Sequence, residues 1–145
     1  MRRHKGFTLV ELVVVVMILG ILAAVAAPKL LGTSGAAADN GMKQTLAVVR
    51  DAIERFAAEN AGQLPGDLGT QVDLKADLVP YLRGVFPTCP VAGKNADVKI
   101  TTTLVDIVGV ASPTESWHYC NKNGQFICNS TALTTTDPLL QYDEL

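Results

Sequence analysis

Residues 7–27 are twenty-one positions drawn almost entirely from Val, Leu, Ile, Ala and Met, with one carboxylate, Glu11, near their start. A helix of that length rises roughly 31 Å, close to the thickness of bilayer hydrocarbon, and a core helix of a water-soluble domain needs no such run. Three readings fit it: a retained membrane anchor, a cleaved secretory signal or a hydrophobic core helix. Arg2, Arg3 and Lys5 precede it, which sets a positive-inside orientation, and Ala23, Ala24, Ala26 and Ala27 could imitate the small-residue site of a cleaved signal.

Glu11 separates these readings, because a carboxylate within hydrocarbon is costly and is normally paired or functional. The residues around it form a pattern. Gly6-Phe7-Thr8-Leu9-Val10-Glu11, after a short basic leader and before the apolar run to Ala27-Pro28, resembles the leader and first helix of the type IV pilin and type II secretion pseudopilin family. The resemblance covers residues 1 to about 56 and is most specific at 6–28. It implies cleavage after Gly6 and N-methylation of Phe7 by one membrane enzyme, the prepilin peptidase/N-methyltransferase. It also implies that the apolar helix is kept, first as an inner-membrane anchor with the head outside the cytoplasm, then as the core of a helical filament.

The resemblance supplies a partner for Glu11 as well. Cleavage would leave a cationic amine on Phe7, one helical turn away, and the family pairs the carboxylate with the amine of an adjacent subunit. Burying such a pair does little for net stability, but misalignment leaves a charge alone, so the pair selects axial register. The bland alternative is a carboxylate that snorkels to the membrane surface from an ordinary anchor.

Within 145 residues, removal of the leader leaves 139, of which about 110 follow the apolar helix, enough for one small core. The leader holds three of the twelve Lys and Arg and none of the fourteen Asp and Glu, so the processed chain carries nine positive and fourteen negative side chains, a balance of −5. That balance, with no basic run after Lys5, argues against a general nucleic-acid binder.

The expected fold is α+β and pilin-like: a long N-terminal helix, its first half membrane-spanning, packed on an antiparallel sheet of three to four strands. The divisions are a leader at 1–6, a transmembrane and filament-core helix at 7–27, an amphipathic continuation at 28–61, and a head at 62–145. Pro28, with Gly32 and Gly35 behind it, predicts a kink or local loosening near 24–28. Met42, Leu46, Val49, Ile53 and Phe56 recur at spacings of four and three, an apolar stripe suited to a sheet, and Asn60-Ala61-Gly62 ends the helix. Prolines at 65, 80, 87 and 90 mark a connector holding a short helix over 73–83 with Asp73 as its cap. Strands are expected at 98–102, 104–110, 115–120 and 125–128, the last two joined at Asn123-Gly124, with Trp117 and Tyr119 on one face and His118 and Cys120 on the other.

Three cysteines would lie outside the cytoplasm, where disulfides persist. Cys120 and Cys128 are the leading candidate pair, on condition that the turn is a three-residue loop; Cys89 with either of them, and three free thiols, stay open. Catalytic motifs are absent: there is no phosphate loop, paired-cysteine metal motif or nucleophile elbow, and His118 is the sole histidine after the leader. A zinc site from His118, Cys120 and Cys128 lacks a fourth ligand. Major pseudopilins often hold calcium in a C-terminal loop; Asp106, Asp137, Asp143 and Glu144 offer oxygens here but match no loop spacing, so no metal and no cofactor is assigned.

The functional expectation is a structural, non-enzymatic subunit of a type IV pilus-like filament. Its implied partners are copies of itself, the prepilin peptidase, an inner-membrane assembly platform and a cytoplasmic ATPase motor, with no nucleic acid for a major subunit. Two alternatives stand beside it: a major pseudopilin of a type II secretion system, and a membrane-tethered minor pilin that binds DNA or a surface at a filament tip.

Overall fold

A computed structural model describes residues 7–145, so the leader, including the expected cleavage residue Gly6, lies outside the described residues. The chain divides into two compact units at Gly35–Ala36. One helix, α1 (Leu9–Glu59), contributes to both, and Pro28 falls inside it. The chain stays helical on either side of Pro28, so local melting there is not observed, although proline has no N–H to give to the carbonyl one turn back.

In the second unit, α1 presents the expected stripe. Met42, Leu46, Val49, Ala52 and Ile53 are buried and Phe56 is partly so. The opposite face stays wet: Asp51 and Arg55 form a 2.9 Å pair one turn apart, exposed and therefore worth a few tenths of a kcal/mol. The helix ends as its sequence dictates. Asn60 and Gly62 donate to the carbonyls of Phe56 and Ala57 at 3.0 and 2.7 Å, while Ala61 and Gly62 take positive φ, a reversal that satisfies the last carbonyls.

The connector helix, α2, spans Gln71–Leu78 and not 73–83. Thr70 is its cap, its hydroxyl accepting from Asp73 N at 3.2 Å, which places Asp73 one turn inside; Pro80 stops propagation beyond Val79. Leu74 and Leu78 are fully buried, and Tyr81 and Leu82 pack at the rim of the same core.

The sheet has three strands in the order β1 (Val98–Thr101), β2 (Trp117–Cys120), β3 (Phe126–Cys128). β2 and β3 pair antiparallel as expected, but β1 joins β2 in parallel, Val98 opposite Trp117, so the sheet is mixed. The long return from β1 makes this possible. Residues 104–110, expected as a strand, carry only an isolated bridge from Val110 to Ser130. Their backbone is satisfied by side chains instead: Ile107 N donates to Gln125 Oε1 at 2.9 Å and Gly109 N to Asp143 Oδ2 at 2.8 Å. A β-branched composition favours a strand only where a ladder partner exists.

Trp117 and Tyr119 face α1 and pack with Phe126, the Trp117 and Phe126 rings stacked at 5.2 Å. Buried aromatics need partners for their polar tips. Trp117 Nε1 donates to Pro87 O at 3.0 Å and Tyr119 Oη to Pro65 O at 3.1 Å, so the two strand residues that fill the core also hold both ends of the proline-rich connector.

The C-terminal stretch folds back across the head. Leu133 bridges Gln141, and a single 3-10 turn follows at Tyr142–Glu144. Arg50 of α1 donates from Nε to Phe126 O at 3.0 Å and from Nη1 to Leu145 O at 2.8 Å.

Candidate assembly site

The N-terminal unit exposes mostly apolar side chains, with Thr8, Glu11 and Lys29 among the few polar ones. Phe7, Leu9, Val10, Leu12 through Leu19, Ile21, Leu22 and Val25 each show between 45 and 78 per cent of their surface. Helical geometry is what such a run requires wherever water is absent, since a helix closes its own backbone hydrogen bonds. By length and composition α1 is suited to cross a membrane, as an anchor or as a signal segment.

Glu11 and Thr8 together begin this helix. Thr8 N and Thr8 Oγ1 each donate to Glu11 Oε2 at 2.8 Å, and Glu11 N donates to Thr8 Oγ1 at 3.2 Å. This is a reciprocal capping box, Thr-x-x-Glu, which satisfies backbone donors at the first turn. The spacing was visible in the sequence, four residues read as Thr8-Leu9-Val10-Glu11, and Thr8 is the functional residue that charge-based reasoning passed over. Glu11 thus has a local partner in a single chain while one edge of it remains exposed.

The other candidate residues do not converge. The hairpin register pairs Tyr119 with Phe126 and Trp117 with Cys128, and Cys120 N donates to Gln125 O at 2.9 Å, closing a four-residue loop, 121–124. Neither the two-residue turn nor the three-residue loop forms. In this register Cys120 and Cys128 occupy opposite faces, Cys128 in the main core and Cys120 beside Ile107 and Ile127, so the expected Cys120–Cys128 pairing is not supported by the fold. The same separation dismantles the zinc set of His118, Cys120 and Cys128.

His118 is buried and structural. Its Nδ1 lies 3.1 Å from Val108 O, which requires a proton on that nitrogen, so Nε2 accepts from Thr101 Oγ1 at 2.9 Å. Burial depresses its pKa, with Lys99 adding to the effect and the Val108 carbonyl and Glu115 opposing it. Three of the four carboxylates considered for calcium accept from backbone donors: Asp137 Oδ1 from Leu139 N at 3.0 Å, Glu144 Oε2 from Gln141 N at 3.0 Å and Asp143 Oδ2 from Gly109 N at 2.8 Å, while Asp143 Oδ1 is buried without a hydrogen-bond partner. Among the described residues no three His, Cys, Asp or Glu side chains are grouped to hold a metal ion.

Comparison with known proteins meets this geometry at the N-terminus. Residues 1–27 match the prokaryotic N-terminal methylation motif. The chain is 32% identical over 76 residues to the type II secretion system core protein G of Klebsiella pneumoniae, covering 52% of this chain and 54% of that protein. It is 35% identical over 71 residues to core protein G of Vibrio cholerae, 49% of each chain. It is 44% identical over 50 residues to the type IV narrow pilus major component of Thermus thermophilus, 34% of this chain and 43% of that one. The chain spans about half the length of the curated relatives it matches. No solved structure matches it.

A methylation motif at the head of a long helix, followed by a small α+β head, defines the class of proteins with a prepilin-type N-terminus. Within that class the chain is similar, over about half its length or less, to core components of type II secretion systems and to a major component of a type IV pilus. These relatives are named as core components of a secretion system and as the major component of a pilus.

Proposed function

We propose that this chain is a filament subunit of the secretion type, a pseudopilin, released from its leader after Gly6, N-methylated on Phe7, and assembled with copies of itself through residues 7–27. The observation that carries the reading is the single carboxylate, oriented by Thr8, at the start of a helix whose apolar side chains are exposed in the isolated subunit. Exposed Val, Leu and Ile serve as anchor in the inner membrane before assembly and as intersubunit surface after it. Exchange of lipid for protein contacts returns little free energy per methylene, so an assembly platform and an ATPase motor drive it. Glu11 fixes register by meeting the Phe7 amine of a neighbour. Pro28 leaves one carbonyl of the helix unpaired, which makes that turn the place where the helix bends or lengthens as subunits stack.

The secretion reading is favoured over a surface pilus because the secretion-system relatives align over 76 and 71 residues, against 50 for the pilus component. The pilus reading keeps one specific support, the higher identity of 44% over that shorter stretch. A DNA-binding tip module has less, since Arg50, Arg55 and Lys75 are engaged by Phe126, Asp51 and Asp97 of the same head. Deleting the chain and scoring exoprotein release beside surface filaments tests the choice. Loss of release with filaments intact supports the pseudopilin, loss of filaments alone supports the pilin, and loss of neither refutes both.

A further inference from the structure

We propose that Cys89 and Cys128 form a disulfide in the mature protein and that Cys120 remains a free thiol. The two residues come from distant parts of the chain, the connector after Pro87 and strand β3, yet both are buried in the same core, 2 and 0 per cent exposed, with their thiols in near-contact and unbonded in this structure. Cys128 is held by its register opposite Trp117. Cys89 is held from several directions: its N–H donates to Asn95 O at 3.0 Å, and Ala92 N donates to its Sγ at 3.2 Å. Trp117 closes the frame, donating from Nε1 to Pro87 O and from its backbone N to Asp97 O at 3.0 Å, on either side of the Cys89 segment. The residue opposite Cys128 in the sheet therefore also anchors the loop that carries Cys89.

Cys120 is excluded by the same geometry. It sits on the other face of β2, where its thiol donates to Thr103 O at 3.3 Å. An odd cysteine left over from the expected hairpin pairing becomes an even pair plus one buried, hydrogen-bonded thiol.

The bond requires an oxidant, and a protein or small-molecule disulfide supplies it. The Cys89 sulfur is the nucleophile, because Ala92 N, three residues on in the same loop, donates to it and favours its thiolate as that loop forms. It attacks one sulfur of the oxidant, expelling a thiolate and leaving a mixed disulfide; Cys128 loses its proton and displaces the second thiolate from Cys89. Two electrons and two protons pass from the cysteine pair to the oxidant, which leaves as two thiols. Both cysteines are buried in the finished head, so exchange occurs while the head closes. The proposal rests on the reading that the head lies outside the cytoplasm.

Arg83, Lys94, Lys99 and Lys122 place the three cysteines on three tryptic peptides, 84–94, 100–122 and 123–145. The test is thiol trapping of the full chain in the membrane fraction with N-ethylmaleimide under denaturing conditions, then peptide mass spectrometry without reduction. A parallel sample of the full chain, purified in detergent, is unfolded and reduced, then refolded in a mixture of oxidised and reduced glutathione. Peptides 84–94 and 123–145 joined in both samples, with 100–122 labelled, is the expected result. Linkage in the purified sample but full labelling in the membrane sample overturns the proposal through its compartment. Failure of the two peptides to join in the purified sample, or a link through Cys120, overturns it through its geometry.

Discussion

Asp39 of α1 accepts a 2.5 Å hydrogen bond from Tyr142 Oη, across 103 positions of sequence, and both side chains are buried. Its other oxygen accepts from Thr136 N at 2.7 Å. One helical carboxylate thus receives the C-terminal stretch at two points. Burial alone would raise its pKa, but the hydrogen bonds from Tyr142, Thr136 and Thr135 outweigh it and hold the carboxyl below the usual range. Tyr142→Phe removes one donor from a buried carboxylate and is expected to cost about 1–3 kcal/mol. For a head of this size that is a fall in Tm on the order of 10 °C, read by thermal unfolding. An unchanged Tm would contradict the anchoring role.

The same carboxylate makes the head sensitive to acid. A group whose folded pKa is depressed contributes stability that is present above its unfolded value, near 4, and is lost as pH falls through the lower folded value. Asp39→Asn should flatten the stability profile below pH 4 relative to the parent chain, measured by denaturant midpoints at a series of pH values.

His118 acts in a higher window. Its depressed pKa means that the unfolded chain binds the extra proton first, so its contribution is complete above about pH 7 and is lost as pH falls through the ordinary histidine value near 6.5. His118→Gln should be less stable than the parent at pH 8, having lost the ring between Thr101 and Val108, yet show a smaller change between pH 8 and pH 5. Parallel slopes for the two chains would show that His118 titrates normally.

On the proposed function, Glu11→Ala is expected to leave processing and membrane residence intact while assembly is poor, because register depends on the carboxylate and the lost Thr8 cap loosens only the first turn. Intact-mass measurement of the N-terminus and electron microscopy of purified filaments read the two effects separately. Thr8→Val, which removes the side-chain donor to Glu11 and keeps the charge, should give a milder assembly defect than Glu11→Ala. Ordered filaments at parental yield from Glu11→Ala would remove the register mechanism.

Gly109 is a glycine for reasons of space. A Cβ there would stand 2.6 Å from Ser130 N and 2.8 Å from Ser130 C, both backbone atoms. Gly109→Ala should push residues 107–110 away from Ser130 and weaken the Gly109–Asp143 bond, seen as faster amide exchange at Ile107 and Gly109 with β2 and β3 unaffected. Protection equal to the parent at those amides would show that the segment accommodates the methyl group.

Local patterns carried much of the architecture. The spacing of Met42, Leu46, Val49 and Ile53 defined the buried stripe, and alternation placed Trp117 and Tyr119 inward. Chain-distant pairings were harder to see. Nothing local in 98–101 says that it will run parallel to 117–120, and the β-branched run at 104–110 lost its ladder because Gln125 and Asp143 satisfied its amides first. The pairing of Cys120 with Cys128 depended on loop length, and a loop of four residues decided against it. At the assembly site, attention to the lone charge of Glu11 obscured Thr8, whose role lies in ordinary helix capping.

The helix of residues 7–27 keeps its greasy surface turned outward, which has a thermodynamic consequence for the whole molecule. Such a subunit has no comfortable monomeric existence in water, so its free energy is set by whichever solvent surrounds the rod, lipid chains or sister rods. On the proposed function, polymerisation is a partitioning of one segment between two oily phases, and the head travels as cargo on that transfer.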